Sequence, residues 1–132
     1  MQNEYKGVER RKFKRVLFTP DRKVQGVVAF ESADRELALK IADISLGGLR
    51  FMLKREDAGN IKEGDICLLS RIQGELQLEL EASLELEIKW IMDESTFQYV
   101  MIGCEFKNLP APASDQLDQF VNLELDKVDR QS

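Results

Sequence analysis

The sequence predicts a mostly β fold, with six or seven short antiparallel strands forming a barrel or a sandwich and one C-terminal helix after them. Three observations predict it. Apolar and polar residues alternate through the middle of the chain, turn-forming clusters separate the apolar runs, and the spacing becomes helical after "LPAPAS" at 109–114.

The alternation is clearest over 76–92. Every even position there is apolar, from Leu76 through Leu86 and Ile88 to Trp90 and Met92, and every odd one is polar or charged except Ile91. Period two is the pattern of a strand with one face in a core and the other in water. At about 3.3 Å per residue the run would span roughly 55 Å, too long for one straight strand in a small domain, so it must bend as a barrel strand does. A helix of the same residues would spread its leucines around the whole circumference.

Further strands are expected at 24–31, 36–44, 48–53, 65–72 and 97–106. Between them lie "ESADRE" at 31–36, "EDAGNIKEGD" at 56–65, "QGE" at 73–75 and "DES" at 93–95, all rich in turn formers. Closing such strands into a barrel would remove exposed edges. At the C-terminus, Leu117, Phe120, Val121, Leu125 and Val128 form an i, i+3, i+4 stripe. Ser114 or Asp115 is expected to cap that helix, with acidic residues favourable in its first turn. The stripe reads as a lid over one barrel opening rather than as a partner-binding face.

A chain of 132 residues suits one domain, and 43% hydrophobic with 33% charged residues marks a globular protein rather than a disordered one. The longest uncharged run, 95–104, has ten residues, whereas a membrane-spanning helix needs about 20, so no membrane insertion is expected. No apolar segment follows the positive N-terminus as a secretory signal would require, and the expected compartment is the cytoplasm. Cys67 and Cys104 both lie in apolar strand-like runs and read as small buried hydrophobes. Without any histidine or C-x-x-C pair, neither a zinc site nor a histidine-based catalytic constellation is expected. The outward Glu79, Glu81, Glu85 and Glu87 read as a solvated strand face rather than as a metal site.

The charge distribution is uneven. Residues 1–15 hold six Lys or Arg against two Glu, a local charge of +4, while the whole chain is −5 and residues 16–132 therefore carry −9. An acidic body argues against a broad nucleic-acid surface, which spreads Lys and Arg over one face, and no DNA or RNA partner is expected. Anion-binding capacity confined to one arm suggests a small anionic ligand. Arginine in the arm adds what lysine lacks, a planar fork that grips phosphate bidentately and stacks on flat rings.

A second motif, "ADISLGGLRF" at 42–51, places Asp43 and Ser45 at a strand end, before Gly47 and Gly48. Two glycines permit positive φ and close ligand approach; a turn in which Asp and Ser bond their own backbone fits the same residues. Guanine offers O6 and N7 acceptors to an Arg fork and an N2 amino donor, beside N1–H, to a carboxylate. Arm and strand end together would suit a guanine-nucleotide clamp.

The pairing of "RKFKR" at 11–15 with "DISLGG" at 43–48 resembles the PilZ domain family, whose signature is R-x-x-x-R followed by D/N-x-S-x-x-G. The likeness covers nearly the whole chain, including "IGCEF" at 102–106, which looks like the family's last strand. It implies a six-stranded antiparallel β-barrel with a C-terminal α-helix and a flexible basic N-terminal arm. The arm would comprise residues 1–15, the barrel 16–109 and the helix 110–132.

The resemblance also implies binding of the bacterial second messenger cyclic di-GMP. Arg11 and Arg15 would contact phosphates and guanine edges, Asp43 and Ser45 would hydrogen-bond a guanine, and Gly48 would keep the turn open, with Gly47 beside it counted among the ligand-binding residues. Arg10, just before the motif, favours an intercalated pair of ligands. The chain starts so near the arm that no fused output domain is expected. An adaptor would follow, with no cofactor and no catalysis, ordering its arm on the ligand and signalling to an unidentified effector protein. A ligand-independent interaction module is the alternative, ahead of an RNA-binding small barrel and an enzyme.

Overall fold

The structure, a computed structural model, describes residues 14–19, 21–30, 36–59, 61–75, 77–93 and 98–131. The elements run β1 (Arg15–Leu17), β2 (Val24–Phe30), β3 (Glu36–Ser45), β4 (Gly48–Lys54), α1 (Arg55–Ala58), β5 (Ile66–Gly74), β6 (Leu78–Met92), β7 (Tyr99–Lys107) and α2 (Ala111–Gln131). Strands β3-β2-β5-β6-β7-β4 neighbour one another in that order, and β4 pairs back onto β3, closing an antiparallel barrel of six strands. The six expected strand runs are all present. Two short elements were not expected: α1 opens the 56–65 turn, and β1 pairs with the far end of β3, Arg15 opposite Ser45 and Leu17 opposite Asp43.

The barrel interior is filled by the alternating residues, among them Ile41, Phe51, Leu69, Leu86, Ile88 and Ile102, all fully buried. Helix α2 plugs one end with Ala113, Leu117, Phe120 and Val121, which join the same core. The helix begins earlier than the capping reading expected, at Ala111, and its first turn holds no acidic residue. Ser114 instead donates its backbone N–H to the Pro110 carbonyl at 2.9 Å. Pro112 explains the early start, since the first helical turn is where a missing N–H costs nothing.

Two bulges decide what faces outward. Along β3, Leu39 and Ile41 point inward, but the register with β4 slips between Ile41 and Asp43, making Ala42 the extra residue. Ile44 then takes the next core position, and Asp43 and Ser45 turn to the outer face. On β6 the register with β7 slips between Ile88 and Trp90. The inward set of Leu84, Leu86 and Ile88 is continued by Ile91, while Trp90 and Met92 are exposed, by 36% and 55%. The even-numbered apolar face therefore stops at Ile88 instead of running to Met92.

The segment joining β1 to β2 is fastened to the rest. Arg22 donates Nε to Glu75 Oε1 at 2.6 Å, lies 3.9 Å from the buried Glu124 of α2, and covers the Phe18 ring at 5.7 Å. Glu75 also accepts the Lys23 N–H at 3.0 Å. Among the described residues no helix is long and apolar enough to cross a membrane.

Candidate ligand-binding cleft

Where β1, the end of β3, the start of β4, β6 and β7 meet, the outer wall of the barrel carries a cleft of about 850 Å³. Asp43 lies at its base with only 2% of its surface exposed. A buried carboxylate needs partners, and it has two arginines. Arg50, its cross-strand neighbour on β4, donates both Nε and Nη2 to Asp43 Oδ2. Arg15 brings Nη1 to 3.9 Å from the same oxygen. Ser45, 6% exposed, accepts the Gly47 N–H on its Oγ at 3.0 Å, so the strand end closes as a side-chain-capped turn.

The glycines serve a purpose other than positive φ. Among the described residues the positive-φ glycines are Gly59, Gly64 and Gly74, not Gly47 or Gly48. At Gly48 a Cβ would stand 1.9 Å from the Cys104 carbonyl oxygen, so glycine is needed for β4 to approach β7. Gly47 accepts the Phe106 N–H at 3.0 Å, sealing the same seam.

In the same cleft, the Trp90 indole lies across Gly103, where a Cβ would come within 2.1 Å of the ring. The bulge and the missing side chain at 103 together lay a flat aromatic surface on the cleft wall. Lys89 and Glu105 form a 3.8 Å pair beside it, and Leu109 and Ser114 close the end near α2. Cys104 also borders the cleft; its hydrogen bond with Cys67 and its burial push the thiol pKa up, so it stays protonated and inert. On the acidic strand face, Glu87 sits between Lys107 at 3.4 Å and Lys89 at 3.5 Å. The Lys107 hydrogen bond, helped by Lys89, holds its carboxyl below the usual range.

Of the residues singled out from the sequence, Arg15, Asp43, Ser45, Gly47 and Gly48 all line this cleft. Arg10 and Arg11 lie outside the described residues. Sequence reasoning missed Arg50 and Trp90. For Trp90 a signal existed: Ile91 is the single apolar odd position in its run, which marks the phase change at the bulge. In β3 the corresponding signal is the step from Ile41 to Ile44.

The cleft dictates a chemistry. It combines guanidinium groups for an anion, an acceptor and a hydroxyl at its base, and an aromatic face for a flat ring.

Similar folds are known. The PilZ domain of YcgR from Escherichia coli, solved with c-di-GMP, superposes with a TM-score of 0.70 at 14% identity, over 92% of this chain and 96% of that one. MrkH from K. pneumonia in complex with c-di-GMP gives 0.68 at 15% identity, over 92% of this chain and 55% of that one. The Bacillus subtilis inhibitor of motility MotI (DgrA) gives 0.65 at 19% identity, over 89% and 52%. The chain thus spans about half the length of the latter two. No curated protein matches it by sequence. At these identities the superpositions speak for the fold; the sequence itself matches the PilZ domain pattern from residue 9 to residue 123. This chain belongs to the PilZ domain family.

Proposed function

We propose that the protein is a cyclic di-GMP receptor that works as an adaptor. The observation that carries this reading is the meeting of a buried carboxylate, Asp43, with Arg15, Ser45 and an exposed Trp90 in one cleft. Arg15 grips a phosphate or stacks on a guanine, Asp43 accepts from a guanine N1–H and N2 amino group, and Ser45 supplies a hydroxyl beside it. Trp90 gives the base a stacking surface. The MrkH and YcgR structures with c-di-GMP support the choice of ligand.

The arm (residues 1–15) closes over the ligand with Arg10 and Arg11, while the barrel (16–109) and the helix (110–132) form the platform. Several charge-assisted hydrogen bonds, at about 1.5–3 kcal/mol each, offset the entropy of ordering the arm. Arm and ligand then present a new surface to a partner protein in the cytoplasm. No bond is made or broken, and the protein acts by binding alone.

Calorimetric titration of cyclic di-GMP tests the reading. Saturable heat is expected, with two ligands per chain, and Arg15→Ala should weaken binding by about 10-fold or more, the loss of one charge-assisted contact or two. Arg10→Ala should lower the stoichiometry from two to one. Absence of heat in the native protein would leave the ligand-independent adaptor as the function.

Fluorescence offers an independent check, because Trp90 is the chain's only tryptophan. Guanine stacking on the indole should quench and shift its emission in step with the calorimetric isotherm. Saturation without any spectral change would remove Trp90 from the site.

A further inference from the structure

We propose that Arg50 sets the base specificity of the cleft by holding the Asp43 carboxylate in one orientation, an inference that rests on the cyclic di-GMP reading above. Arg50 is not part of the sequence signature, yet it makes the direct contacts to the carboxylate. It faces Asp43 in the β3–β4 register and puts both Nε and Nη2 on Oδ2. Arg15 is 3.9 Å from that same oxygen. A carboxylate has about four lone-pair positions, two on each oxygen. Arg50 occupies those of Oδ2 and fixes the plane of the group, and Oδ1 is the oxygen that neither arginine addresses.

The two side chains are buried differently, and this separates their roles. Asp43 keeps 3% of its side chain exposed and Arg50 keeps 35%. The acid is therefore locked in place, and the arginine is the outer brace. A fixed acceptor discriminates between purines. Guanine presents N1–H with its N2 amino group, whereas adenine at the same place presents a bare N1 acceptor and no 2-amino group, so it meets the carboxylate lone pair to lone pair. Without Arg50 the carboxylate can turn toward Arg15 and the distinction weakens. Arg50 is thus a positioning residue, separate from the arm arginines that meet phosphate.

The test compares cyclic di-GMP with cyclic di-AMP, which share the phosphates and the stacking rings and differ at the base edge. Both are titrated into the full chain, native and with Arg50→Ala or Arg50→Lys. The native protein should prefer the guanine ligand by about 100-fold or more, as sites built around a specific hydrogen bond do. Arg50→Ala should cut affinity for cyclic di-GMP by about 10-fold or more and leave cyclic di-AMP unchanged, so the ratio collapses. Arg50→Lys, which keeps the charge but not the paired donors, should recover the ratio only in part.

Equal weakening of both ligands by Arg50→Ala would show a mere charge contribution and overturn the proposal, as would an unchanged ratio. Should Arg50→Ala fail to fold, full retention of the ratio by Arg50→Lys overturns it equally. Loss of cyclic di-GMP binding by the native protein is a different outcome, because it removes the receptor reading itself.

Discussion

Asp43→Ala is expected to abolish cyclic di-GMP binding at micromolar protein while leaving the barrel folded. The proposed contact to guanine uses two donors on a charged acceptor, at about 1.5–3 kcal/mol each, so the loss should reach about 3 kcal/mol or more, at least 100-fold in affinity. Stability should suffer far less. Breaking a buried ion pair costs about 3–5 kcal/mol when the charge left behind stays buried. Here the charges left behind belong to Arg50 and Arg15, whose side chains are 35% and 33% exposed and can turn to water. A loss of about 1 kcal/mol is then expected, a few degrees in melting temperature for a domain of this size. Calorimetry and thermal melting on the same sample separate the two effects. Affinity within threefold of native would mean that the buried carboxylate serves only to hold β3 against β4.

Gly48→Ala should have the largest effect on stability of any single methyl added to the chain's cleft. The new Cβ would sit 1.9 Å from the Cys104 carbonyl oxygen, 2.9 Å from its carbon and 3.0 Å from the Glu105 Cα. All three are backbone atoms in the β4–β7 ladder, where Gly48 faces Glu105, so no side chain can swing aside. Relief requires the two strands to part, and a destabilisation of about 3 kcal/mol or more is expected, roughly 10 °C in melting temperature. Gly59→Ala is the informative comparison. Gly59 has φ 46° and ψ −121°, a backbone that L residues rarely adopt, with nothing within 4 Å of an added Cβ, so backbone strain of about 1–3 kcal/mol applies without any steric clash. Thermal melting that ranks Gly59→Ala as the worse of the two would contradict the close-approach account of Gly48.

Much of the architecture was legible because it is written locally. Period two along 78–92 and the helical stripe from Leu117 to Leu125 are short-range patterns, and each became the element it predicted. The signature residues were legible for the same reason: Arg15, Asp43 and Ser45 stand in fixed spacings on a single chain segment each. Strand β1 was hidden because three residues beside a basic run carry no periodicity, and it exists only through its pairing with the end of β3.

Trp90 shows how one displaced residue changes a reading. Alternation assigned it to the core, but the slip between Ile88 and Trp90 reverses the strand's phase, and Gly103 leaves room for the indole on the outer wall. The slip after Ile41 does the same for Asp43, bringing a carboxylate out of an apolar series that would otherwise point it into the barrel. Both phase changes left faint traces in the order of residues, at Ile91 and Ile44, but pairing alone converts them into an outward-facing site.

The choice of partner for Asp43 belongs wholly to the tertiary structure. The chain holds 19 lysines and arginines, and nothing in their order singles out Arg50. The sequence by itself determined the strand runs and the helix, because propensity and periodicity act between near neighbours, and its resemblance to the family supplied the closed barrel and the signature residues. Register determined which arginine meets the carboxylate and which aromatic ring faces the cleft, because a shift of one residue on a strand exchanges its inner and outer faces.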